Sequence, residues 1–151
     1  MELINKDNKD ISDALLEQYK LYVEMMDKVS ERRGNANSFF ITLHTVVLGI
    51  IGINGFNVEK YWLLIVILGL ILSYVWGYLL QSYKLLNKGK FEVIHEMEKE
   101  LPMNMYAYEW EILDYGKNRA KYWPISHLER IIPIVFAMVY IVFGICILAG
   151  R

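Results

Sequence analysis

Few side chains in this 151-residue sequence have a type and spacing that could do chemistry. His95 is followed by Glu96, the opening of a zinc-protease helix motif. Lys99, however, stands where the second histidine would have to lie one turn further on. Glu92-x-x-His95 occurs once, whereas a di-iron bundle needs the motif on two helices together with further carboxylates. Glu96, Glu98 and Glu100 read as the solvated face of a charged helix. Neither the glycine–lysine phosphate loop nor the three-glycine dinucleotide fingerprint is present. The single cysteine, Cys146, lies in apolar sequence and reads as a small hydrophobe. No catalytic, cofactor-binding or metal-ligating residues are assigned, and an enzyme is not expected. His44 stands apart as an ionisable side chain inside a long charge-free stretch, by default a functional position in a membrane helix. Asn37, seven residues earlier, shares its helix face, and Thr42 and Thr45 lie close by. Two readings stand: these four line a polar cavity or pore, or His44 is neutral and hydrogen-bonded between helices.

The elements that must position these residues follow from the charge distribution. Asp, Glu, Lys and Arg are absent from residues 34–58, 61–83 and 131–150. A bilayer core about 30 Å thick takes about 20 apolar residues of helix. A helix satisfies every backbone group within one segment, without water or a neighbouring strand. The spacing therefore predicts membrane spans at 38–56, 61–80 and 131–150. A soluble bundle would show polar residues every turn, and residues 62–72, WLLIVILGLIL, show none. The first span follows a long charged segment, so it does not read as a cleavable signal.

Of the 16 lysines and arginines, all but Lys60 and Arg151 fall in the segments before span one and between spans two and three. The positive-inside rule then puts residues 1–37 and 81–130 in the cytoplasm and the C-terminus outside. A net charge of −1 argues against nucleic acid as a partner.

Ile11, Leu15, Tyr19, Tyr22, Met26 and Val29 form a heptad-like stripe in the N-terminal segment. Its cover is either segment 81–130 or a neighbouring subunit. The second span continues as a helix with Phe91, Ile94, Met97 and Leu101 on one side until Pro102, and residues 103–123 are expected to be irregular and aromatic. Ser126 and Glu129 fit a capping box that opens the third span, with Pro133 in its first two turns. Small residues mark two packing faces: Gly69, Ser73 and Gly77 on span two, and Thr45, Gly49 and Gly52 on span one.

Three phrases then stand out: Arg32-Arg33-x-Asn35-Ala36-Asn37-x-Phe39-Phe40 before span one, Tyr83-Lys84-Leu85-Leu86-Asn87-x-Gly89-Lys90-Phe91 after span two, and Trp123-Pro124-x-Ser126-His127-x-Glu129-Arg130-x-x-Pro133 before span three. Through these the sequence resembles the RipA family of small bacterial membrane proteins over about residues 15–145. That resemblance implies an octamer and marks Arg32, Arg33, Ser126, Glu129 and Arg130 as residues that lead the chain into the membrane. A second likeness is to the SLATT effector modules of antiphage systems, which implies pore formation, although those modules carry two spans. The expectation is an all-α, polytopic membrane protein with three transmembrane helices and cytoplasmic helical extensions. It assembles with itself in the lipid bilayer as a scaffold or pore, in a stress or antiphage role. The alternative is an accessory subunit bound to another cytoplasmic or membrane protein.

Overall fold

The computed structural model describes residues 13–53, 57–118, 120–122 and 125–150, with backbone only for 125–127. Its helices are α1 (Asp13–Ile51), α2 (Val58–Glu98), α3 (Met105–Ile112) and α4 (Ile125–Ala149). The fold is all-α, and α1, α2 and α4 are each long and apolar enough to cross a membrane. At 39 and 41 residues, α1 and α2 far exceed the length a bilayer needs. Each therefore contributes to both compact units of the chain: residues 1–31 with 83–125, and residues 32–82 with 126–151.

Helix ends follow local chemistry. α1 stops at Ile51, five residues short of the predicted end of span one. Gly52 and Ile53 donate to the carbonyls of Gly49 and Ile50, the tight bonds of a closing last turn. Residues 54–56 lie outside the described residues. Asn57 caps α2, its Oδ1 accepting from the Lys60 amide at 2.9 Å, as an N-cap amide does for the third helical residue. α4 begins at Ile125, so Ser126 lies within the helix rather than before it, and Pro133 sits in the third turn rather than the first two. The Ser126 side chain lies outside the described residues.

In the unit of residues 1–31 and 83–125, the N-terminal stripe is covered from within the chain. Tyr19 and Met26 pack on Ile94 and Leu101, with Leu15, Tyr22, Val23, Met97 and Tyr106 around them. Ile11 lies outside the described residues. The segment expected to be irregular holds α3, which ends in a left-handed turn at Asp114 and Tyr115. In the unit of residues 32–82 and 126–151, two clusters join α1, α2 and α4. One is Phe40, Trp76 and Leu80, and the other is Val47, Ile65 and Tyr140.

Candidate functional site

Lipid offers apolar groups no water to escape, so helices in a membrane are held by close packing and by the hydrogen bonds of their few polar groups. The apolar unit builds both around Tyr140 and Trp76, each fully buried. Gly69 and Ser73 lie one turn apart on α2 and are buried, and Ser73 Oγ donates to the Gly69 carbonyl at 2.9 Å. The Tyr140 ring lies directly on Gly69: a Cβ there would come within 2.4 Å of three ring carbons. Two turns on from Gly69, a Cβ at Gly77 would meet Pro133 at 4.0 Å. Gly144 does for α4 what Gly69 does for α2, since a Cβ on it would press Val66 at 3.3 Å. The α2 stripe of small residues is thus filled by α4 of the same chain.

Polar groups form a seam along the inner side of α1. His44 is fully buried and shares a 3.1 Å hydrogen bond between Nδ1 and the Tyr140 hydroxyl. Phe136 stacks on the imidazole at 4.4 Å and Trp76 leans on it at 5.7 Å, while the buried Nε2 has no hydrogen-bond partner among the described residues. Two turns earlier, Asn37 Oδ1 accepts from Trp76 Nε1 at 2.8 Å and Asn37 Nδ2 donates to Glu129 at 3.1 Å. Glu129 also faces Arg33 at 3.5 Å, both side chains largely covered. Asn37 therefore links α1 to α2 and α4 at once. The Glu129 carboxylate, expected to turn back on its own helix as half of a capping box, reaches across to α1. Arg32 and Arg130, each next to a member of that pair, are exposed.

The four polar residues of span one divide into two sets. Asn37 and His44 point into the chain's own bundle. Thr42 and Thr45 are exposed, their hydroxyls returned to the carbonyls of Ser38 and Ile41 one turn back. Gly49 and Gly52 share the outer side with them, and a Cβ on Gly49 would meet nothing within 4 Å. So of the two small-residue faces read from the sequence, one is occupied within the chain and the other is uncovered.

The other unit has its own buried polar centre. Glu98, read from the sequence as part of a solvated face with Glu96 and Glu100, has no exposure at all. It accepts from the Tyr106 amide at 2.8 Å, the Ala107 amide at 3.1 Å and the Tyr19 hydroxyl at 3.2 Å. Those amides lie in the first turn of α3, where free N–H groups and the helix dipole favour a negative charge. Glu98 thereby caps α3 and holds it to α1. Burial raises the Tyr19 pKa first, and the Glu98 charge adds to the rise. Glu96, in contrast, is exposed and pairs with Lys99.

Trp76 and Tyr140 went unrecognised in the sequence. Trp76 stands near the end of a charge-free stretch, where an interfacial aromatic belt would also place a tryptophan. The signal against it was its period: Gly69, Ser73, Trp76 and Leu80 recur every three or four residues on one face of α2.

Three spanning helices, joined by small-residue packing and a thin seam of hydrogen bonds, define a polytopic helical membrane protein. The chain belongs to the octameric membrane protein family (8xMP), whose sequence model matches residues 16–149. Neither curated proteins nor solved structures give a match.

Proposed function

We propose that this chain is a non-enzymatic membrane protein that assembles with seven further copies of itself into a scaffold or pore in the bacterial inner membrane. The uncovered small-residue face of α1 carries the reading. Ser38, Thr42, Thr45, Gly49 and Gly52 recur every three or four residues and are all exposed. In lipid such a face lets another helix backbone approach closely. Asn37 and the Nδ1 side of His44 already have their partners inside the chain. Membership of an octameric family supplies the partner for the free face: another copy.

Under this reading residues 1–37 and 81–130 are cytoplasmic and the C-terminus is outside. If the assembly encloses water, His44 does not line it, since its side chain is buried within the chain. The likenesses to RipA proteins and to SLATT modules point to a stress or antiphage role. An accessory subunit of another membrane protein is the competing reading. Gly49→Leu would fill the free face without touching any intrachain contact. It is expected to convert the detergent-solubilised octamer to smaller species in size-exclusion chromatography with light scattering, with helical content unchanged. An unchanged octamer would remove α1 from the subunit contact.

A further inference from the structure

In the unit of residues 1–31 and 83–125, α3 lies against one side of the α1–α2 pair, touching Val23 on α1 and Phe91 on α2. By the 3.6-residue period, the opposite side of the pair is formed by Leu21 and Met25 from α1 and by Leu86, Gly89 and Val93 from α2. None of these is covered by a described residue: Leu21 is 58% exposed, Leu86 49%, and a Cβ on Gly89 would meet nothing within 4 Å. On the seam of this face lies Lys90. Its side chain is buried to 8% exposure with the ammonium 4.5 Å from the centre of the Tyr22 ring, and it pairs with no carboxylate among the described residues. The ring offsets part of the cost of drawing that cation from water, and an anion would offset more of it.

The α3 side has the complementary chemistry. A groove of about 290 Å³ is lined by Tyr19, Val23, Met105, Tyr106 and Glu109. Exposed Met105 borders it, and exposed Ile112 lies two turns on along the same side of α3. Glu109 in the groove's lining and Asp27 near Tyr106 pair with no cation among the described residues, and both add to the rise that burial causes in the Tyr106 pKa. Glu109 sits at the level of Tyr19 and Val23, and Lys90 at the level of Tyr22, so the two charges lie at matching heights along α1.

We infer that the Lys90 face of one copy docks on the Glu109 side of the next copy, making a head-to-tail contact around the assembly. The inference rests on the proposed self-assembly. Copies inserted by the same charge rule share one orientation, so no two-fold axis can lie in the membrane plane. Eight copies then close around an axis along the membrane normal, and such a ring joins two different surfaces of each subunit.

The test uses the full chain in native mass spectrometry from detergent. Lys90→Glu and Glu109→Lys should each remove the eight-copy species, and the double variant should restore it. In a Cys146→Ser background, Leu86→Cys together with Ile112→Cys should give an oxidised ladder reaching eight copies, and neither substitution alone should cross-link. An octamer indifferent to both reversals would overturn this contact while leaving self-assembly intact. So would an octamer that gives no ladder from the cysteine pair, or dimers from Leu86→Cys alone. A wild-type chain found only as a monomer would overturn the assembly reading, and the contact with it.

Discussion

At the scale of single residues, Tyr140 and Gly69 are the most tightly matched pair in the apolar unit, and magnitudes rank what their loss should do. Tyr140→Phe removes one interhelical hydrogen bond, a type that averages about 0.6 kcal/mol and reaches about 1.7 in membrane proteins. Gly69→Ala drives a methyl group into the ring at 2.4 Å, an overpacking that costs about 1–3 kcal/mol in a close-packed interior. Gly69→Ala should therefore lower the thermal midpoint in detergent more than Tyr140→Phe. Replacing the ring with Tyr140→Leu in the Gly69→Ala background should recover part of the loss, since contacting residues couple. Asn37→Leu should be at least as harmful as Gly69→Ala. It leaves Trp76 Nε1 without its acceptor, at about 1–3 kcal/mol for a group stranded away from water, and takes one of two partners from the Glu129 carboxylate. Equal stability of wild type and Asn37→Leu would show that the seam contributes nothing.

At the scale of elements, α3 depends on a residue of another helix. Eight residues are too few to hold a helix in water unaided. The Glu98 carboxylate supplies the missing cap and an attractive charge at the dipole's positive end. Glu98→Ala should leave α1 and α2 helical but raise the hydrogen-exchange rates of the amides of residues 106–113 by tenfold or more. The Tyr19 hydroxyl must be neutral to donate to Glu98, and its pKa in the folded chain lies above the ordinary value of about 10. A raised pKa means that the folded chain holds the proton while the unfolded chain releases it. The stability tied to Tyr19 is therefore complete below about pH 10 and falls as pH rises beyond it. Tyr19→Phe should flatten that alkaline decline in chemical denaturation, and an identical slope in wild type and variant would argue against the bond.

α3 also shows where the sequence stops being legible. Charge-free windows mark α1, α2 and α4, because length and apolarity in lipid are local properties. The N-terminal stripe of Tyr19, Tyr22 and Met26 is equally visible, because it repeats. Glu98 looks like its exposed neighbours Glu96 and Glu100, and only the fold distinguishes them, by bringing the first turn of α3 and Tyr19 to it. The same holds for Trp76, whose partner Asn37 is 39 residues away, and for Tyr140, whose partner His44 is 96 residues away. His44 and Asn37 could be singled out by type. Their inward direction could not, because the sides of α1 become distinct only once α2 and α4 are in place.

At the scale of the whole molecule, the proposed assembly requires one orientation in the membrane of every copy. The basic residues concentrated in two segments should hold the C-terminus outside. A phosphatase fused after Arg151 should be active and a cytoplasmic reporter at the same position silent, with the reverse result contradicting the three-span topology. Stoichiometry tests the account most directly. The wild-type chain, extracted with its lipids and weighed intact by native mass spectrometry, should appear as eight copies, each of 17.8 kDa. A chain that remains a single copy under conditions that preserve lipid-bound membrane complexes would contradict the account.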